Sequence, residues 1–125
     1  MTGARRLGQS GERVAVHLLE SKGFRVRDRN VRTREGEIDI VAEREGVLVF
    51  VEVRARRGAA MGSAAESLTP RKQRRLVALA QAYVQDRADL PAAQRIDVIT
   101  LNLAANGRVL SLDHLENAVP DFLAL

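Results

Sequence analysis

The chain sets acids inside strands that are otherwise apolar, and this restricts its fold more than any other feature. Asp39 follows Gly36-Glu37-Ile38, and Glu52 stands thirteen positions later within Phe50-Val51-Glu52-Val53-Arg54. Between them the apolar pattern breaks at Glu45-Gly46. Two runs of this kind predict adjacent strands, Glu37 to Ala42 and Val47 to Arg54, joined by a tight turn. Val49, Val51 and Val53 share one face of the second run, Leu48 and Phe50 the other, so that strand is expected to be buried on both sides. An acid there needs a partner, because an isolated buried charge is very costly. A divalent cation shared by Asp39 and Glu52 meets that need. So does an ion pair between Glu52 and Arg54, and solvated charges on an exposed sheet face are the third reading.

Strand alternation makes the metal reading specific. A turn with an even number of residues, such as Arg44-Glu45, sets Asp39 opposite Phe50 and diagonal to Glu52, with Glu37 opposite Glu52. Diagonal neighbours are roughly 7–8 Å apart, a gap that two carboxylates span through a cation with metal–oxygen bonds of about 2.1 Å. An odd turn sends the two acids to opposite faces.

The metal's class follows from what the chain lacks. There is no cysteine, and His17 and His114 are far apart. Oxygen ligation is therefore expected, favouring Mg²⁺ or Mn²⁺. At 125 residues the chain is expected to be one domain, residues 1–125, with a real core. It has no run of membrane-helix length and no apolar stretch of signal-peptide type near Met1 to Val14, which suggests a cytoplasmic protein without membrane contact.

Charge points to a polyanion. The net charge is +4 and the pI near 10.6. From Arg54 to Arg75 seven bases stand against Glu66 alone, and from Arg25 to Arg34 five arginines face Asp28. Three Phe, one Tyr and no Trp give little for base stacking, so phosphate-backbone contact is the expected mode. Arg71, Lys72, Arg74 and Arg75 crowd the start of a helix announced by Thr69-Pro70. The helix dipole disfavours bases at that end, by roughly 0.3–1 kcal/mol each. A bound phosphate backbone accounts for them better than a random solvated face.

The remaining pattern gives the order α-β-β-β-α-β-β. A helix from about Leu7 to Lys22 buries Val14, Ala15, Leu18 and Leu19 and stops at Gly23. Phe24 to Arg29 alternates as a strand with Arg25, Arg27 and Arg29 on an outer basic stripe. The second helix runs to about Arg87 with Leu76, Leu79, Ala80, Tyr83 and Val84 inward. Arg95 to Leu103 and Val109 to Leu112 are further strands around an Asn106-Gly107 turn, and Leu115 to Leu125 forms a short helical tail. The loop from Ala55 to Leu68 is rich in small residues, as one closing over a substrate would be. This is an α/β fold with a mixed sheet of four to five strands flanked by helices.

These residues carry a resemblance. Asp39, Glu52 and Arg54 occupy positions similar to the D…E-x-K of the PD-(D/E)xK nuclease superfamily. More narrowly, Gly11-Glu12, Asn30, Arg32, Gly36-Glu37-Ile38-Asp39, Phe50-Val51-Glu52-Val53, Arg56 and Arg95 with Asp97 resemble the YraN-like family of small bacterial proteins, over most of the chain. The spacing also resembles archaeal Holliday-junction resolvases, in which a glutamate on the first helix joins the site, the place held here by Glu12. The resemblance implies a restriction-endonuclease-like fold and a Mg²⁺-dependent phosphodiesterase with Asp39 and Glu52 as metal ligands and Glu12 and Arg54 beside them. It adds Arg32 and Arg56 to the expected nucleic-acid contacts, with double-stranded or branched DNA as substrate and a homodimer left open. Arg54 departs from the PD-(D/E)xK superfamily's lysine: arginine stays protonated and cannot act as a base, but can hold a phosphate or stabilise developing charge. A catalytically silent nucleic-acid-binding adaptor is therefore the alternative function.

Overall fold

The computed structural model describes residues 3–57 and 68–120, with side chains from residue 11 onward. The elements are α1 (Gly3–Ser21), β1 (Arg25–Thr33), β2 (Gly36–Arg44), β3 (Val47–Arg57), α2 (Pro70–Gln85), β4 (Ala93–Leu103) and β5 (Val109–Leu115). The five strands form one sheet in the order β1-β2-β3-β4-β5. All neighbours are antiparallel except β3 and β4, which run parallel and are joined through α2. The expected α/β architecture with a mixed five-stranded sheet is what forms.

The helices cover opposite faces of the sheet. Ala15 and Leu19 of α1 pack with Phe24, Ile40, Val49, Val51, Ile99 and Leu101. Leu76, Leu79, Ala80 and Tyr83 of α2 pack with Val41, Leu48, Phe50, Ile96 and Val98. β3 is thus buried on both sides, as its unbroken apolar run requires. Thr69 caps α2 by accepting the Lys72 main-chain N–H at 3.2 Å, with Pro70 opening the helix, a cap worth about 1 kcal/mol. Among the described residues no helix is long and apolar enough to cross a membrane.

Several boundaries differ from the sequence reading, each for a local reason. The turn between β2 and β3 is Glu45-Gly46, both at positive φ (+52° and +78°), the geometry that matches hairpin twist. Its register, Ile40 opposite Val51 and Val41 opposite Phe50, keeps the even parity but puts Val41 and not Asp39 opposite Phe50, and it ends before Asp39 is reached. β1 is shifted towards the C-terminus and carries a bulge between Val26 and Asp28. Val26 therefore packs on the α1 side, while Asp28 accepts the Tyr83 hydroxyl at 2.6 Å on the α2 side. The outer basic stripe is correspondingly reduced, since Arg25 and Arg27 both pair with Glu43. α2 ends at Gln85, two residues early; β5 extends to Leu115 and residues 116–120 form turns, so the described part of the expected helical tail is not helical. The rest of that tail, from residue 121, and most of the small-residue loop, residues 58–67, lie outside the described residues; Ala55 to Arg57 belong to β3.

Candidate metal centre

β2 and β3 pair only as far as Ile40 and Val51, and beyond that point they part. The two-residue alternation of β2 lapses there: Ile40 packs on the α1 side and Ile38 on the α2 side. Asp39, between them, turns into the gap and accepts the Val53 main-chain N–H at 2.8 Å. The carboxylate thus stands in for the missing strand-to-strand hydrogen bond. It is reachable from both faces of the sheet.

Glu12 comes from the α1 face. Its helix packs against β3 at Gly11, where even a Cβ would make ordinary van der Waals contact with Ala55 Cβ at 3.4 Å and Val53 Cγ1 at 3.7 Å. Glu12 is buried, only 8% exposed. Asn30, in the left-handed region at φ +52°, directs its Nδ2 to both Glu12 oxygens at 2.7 and 2.9 Å. Asparagine tolerates that backbone better than most residues. Glu37, two residues before Asp39, completes the group. One oxygen each from Glu12, Glu37 and Asp39 lies within 4.8 Å of the others.

The electrostatics of this group are unfavourable without a cation. Burial pushes the Asp39 carboxyl up to about 7, opposed by the Val53 hydrogen bond and reinforced by the charges of Glu52, Glu12 and Glu37. Burial, then Glu37, raises Glu12 as well, against the pull of Arg29 and the Asn30 hydrogen bond. Three hard oxygen donors with surplus negative charge suit Mg²⁺ or Mn²⁺. Glu37, Asp39 and Glu52 also border a cavity of about 10 Å³ under Leu76 and Leu79, about the room one water needs.

Glu52 was expected to be a ligand beside Asp39, but it does not join the 4.8 Å group. Its carboxylate accepts from Arg75 Nη2 at 3.0 Å. Arg54, the alternative ion-pair partner of Glu52, does not take it. Arg54 Nη1 is instead the one buried side-chain polar atom among the described residues without a hydrogen-bond partner. Glu37 was legible as a member of the Gly36-to-Asp39 string, yet strand alternation alone aimed it at Glu52.

The basic helix start borders the same site. Arg71, Lys72, Arg74 and Arg75 line an open cleft with Thr69 and Glu35. Glu35 belongs to the turn between β1 and β2, where Gly36 at φ +132° lies against Leu79 of α2. Arg32 stands at the rim, 3.8 Å from Glu37 and almost fully exposed. Arg56 lies two residues beyond Arg54 on β3, level with Asn102 of β4.

Of a second cluster the sequence marked only Arg95 and Asp97, through the resemblance, and gave them no role. Asp97, fully buried, accepts from Arg95 Nε (3.0 Å) and Nη2 (3.2 Å), from His114 Nε2 (2.8 Å) and from the Asn117 main-chain N–H (2.9 Å). Lys22 Nζ donates to His114 Nδ1 at 2.7 Å, and Glu116 takes Arg95 and Arg44. Four donors saturate Asp97. This is an internal ion network tying β4 to β5 and to the end of α1.

Comparison with known proteins agrees with these motifs. Residues 11–101 match the model of the "Uncharacterised protein family UPF0102". A UPF0102 protein of Roseiflexus castenholzii is 46% identical over 97% of this chain and 99% of its own length. One from Chloroflexus aurantiacus is 48% identical over 94% and 96%, and one from Symbiobacterium thermophilum 44% over 85% and 90%. Among solved structures, Pyrococcus furiosus SfsA in complex with Ca²⁺ matches with a TM-score of 0.39 at 18% identity, over 90% of this chain and 63% of that one. The family pattern and relatives of nearly equal length place the chain in UPF0102, the YraN-like family that its motifs resemble.

Proposed function

We propose that the protein is a divalent-cation-dependent nuclease of the PD-(D/E)xK type, cleaving phosphodiester bonds in duplex or branched DNA in the cytoplasm. The observation that carries this reading is the meeting of Glu12, Glu37 and Asp39 in the gap between β2 and β3, beside a cleft lined by four bases of α2. Burial and the charges of Glu52, Glu12 and Glu37 raise Asp39, and burial and Glu37 raise Glu12, at a site that a cation would relieve. The neighbouring bases supply the sign that a phosphate backbone needs.

Glu12, Glu37 and Asp39 would hold Mg²⁺ or Mn²⁺, which when bound supplies Lewis-acid polarisation of the phosphodiester and acidifies water. The chain's own residues do the rest. Val53 N–H and Asn30 Nδ2 fix Asp39 and Glu12 so that their oxygens converge. Arg71, Lys72 and Arg74 receive the backbone in the cleft. Arg54, with a buried donor lacking a partner, is suited to a phosphate oxygen whose negative charge grows during reaction. The test is cleavage of end-labelled duplex and four-way-junction DNA in Mn²⁺. Loss of nicking in Asp39→Asn is expected, and equal nicking by that variant overturns the reading.

One observation favours the second reading, an adaptor with a silent site. Arg54 cannot serve as a base, and no lysine stands at its position. DNA binding that depends on Arg71 and Arg74, with no Mn²⁺-dependent cleavage of any substrate form, selects it.

A further inference from the structure

We propose that Arg75 couples the two halves of the site: in the free protein it holds Glu52 back from the cation, and a polyanion entering the α2 cleft draws it away and releases Glu52 as a further ligand. The inference rests on the cation-dependent reading above and concerns how that site is regulated.

Arg75 belongs to both places. It lines the cleft with Arg71, Lys72 and Arg74, and its Nη2 lies 3.0 Å from Glu52 Oε2. The two partners are unequal. Glu52 is largely enclosed, its side chain 13% exposed, whereas Arg75 is 46% exposed. The acid is therefore fixed at the site and the base is the partner free to move. Glu52 shares the small cavity with Asp39 and Glu37 and its charge acts on Asp39, so it is near enough to contribute once its carboxylate is unoccupied. Three carboxylates are assembled in advance and the fourth is neutralised by an arginine that a phosphate backbone attracts.

Linkage makes the consequence reciprocal. If DNA raises the affinity for the cation, the cation raises the affinity for DNA by the same factor. A free protein would then hold metal weakly and complete its site only on substrate.

The experiment is calorimetric titration of MnCl₂ into wild type, Arg75→Gln and Arg74→Gln, each shown to be folded by its thermal melt. Asp39→Asn provides the background. Arg74→Gln removes the same charge one position away and controls for general electrostatics. Arg75→Gln is expected to bind Mn²⁺ about tenfold more tightly than Arg74→Gln, within the usual range of coupling between sites. In wild type, a phosphorothioate-linked duplex, which resists hydrolysis, is expected to tighten Mn²⁺ binding by a similar factor relative to wild type without duplex, once the signal of the same duplex with Asp39→Asn is subtracted. This arm carries the test if Arg75→Gln fails to fold. Asp39-dependent binding that is equally tight in Arg74→Gln and Arg75→Gln, or a duplex without effect on wild type, overturns the inference alone. No Asp39-dependent binding in any protein removes the cation reading and this inference with it.

Discussion

The Asp39 carboxylate accepts the Val53 main-chain N–H across 2.8 Å, replacing the strand hydrogen bond lost where β2 leaves β3. One side chain thus closes the sheet and bears the charge of the site. Such an acid is costly to the fold when ionised. Its folded pKa, about 7, lies above the unfolded value of about 3.9, so folding favours the protonated form. Metal-free stability should therefore fall as pH rises from about 4 to about 7.

The first prediction follows. In EDTA at pH 8, Asp39→Asn should be more stable than wild type by about 1–2 kcal/mol, in the range typical of relieved active-site strain. Asparagine still accepts the Val53 N–H without the charge. At pH 4 the difference should vanish. Thermal melts at both pH values check it, and a less stable variant at pH 8 would show that the charge is already compensated.

Asn30 tests how Glu12 is held. Asn30→Gly keeps the positive φ but removes both donors to Glu12. Loss of a group that orients a ligand typically weakens metal binding about 10–100-fold. The melting temperature should change little, while Mn²⁺ affinity falls by that factor. Unchanged affinity would make Asn30 a turn residue only.

Arg54 separates catalysis from packing. Its Nη1 is buried without a partner and Glu52 is held by Arg75, so Arg54→Ala should not leave an uncompensated acid. Stability should stay within about 1 kcal/mol of wild type, far from the 3–5 kcal/mol of a broken buried pair. Cleavage should fall by about 10²–10³, as for loss of one charge-stabilising donor, with Mn²⁺ binding intact, and Arg54→Lys should retain it. A strongly destabilised alanine variant that Mn²⁺ does not rescue would assign Arg54 to structure.

The Asp97 network predicts acid sensitivity. Burial alone would push Asp97 up, but hydrogen bonds from His114, Arg95 and the Asn117 N–H override it and hold the carboxyl below its usual value. The stability this contributes is present above the unfolded value of about 3.9 and lost as pH falls further. Asp97→Ala should cost about 3–5 kcal/mol at pH 7 and flatten the acid limb of the melting curve. An unchanged acid limb would place the loss elsewhere.

Replacing Arg71, Lys72 and Arg74 by alanine tests the cleft. Each phosphate contact adds about 0.9 to the slope of log affinity against log salt, so the slope for duplex DNA should drop by about 2–3. An unchanged slope would leave the cluster a solvated face.

The fold was legible because its determinants are local. The apolar runs around Asp39 and Glu52, the Thr69-Pro70 start and the two glycine turns each announce an element within a few residues. Asp39, Glu12 and the α2 bases were also readable, from pattern and resemblance. What pattern cannot carry is the splay of β2 from β3, which takes Asp39 out of regular alternation and lets it meet Glu12. The Arg75–Glu52 pair joins residues 23 apart and the Lys22–His114 contact residues 92 apart. Such partners are set by tertiary geometry, and the bulge in β1 that sends Asp28 to Tyr83 has no sequence mark of its own.

The most direct test of the central claim is calorimetric titration of MnCl₂ into wild type and Asp39→Ala at pH 8, without nucleic acid. The account predicts a saturable site in wild type that is lost in Asp39→Ala while the variant remains folded. Binding that is absent from wild type, or unchanged by the substitution, would contradict a metal centre built on Glu12, Glu37 and Asp39.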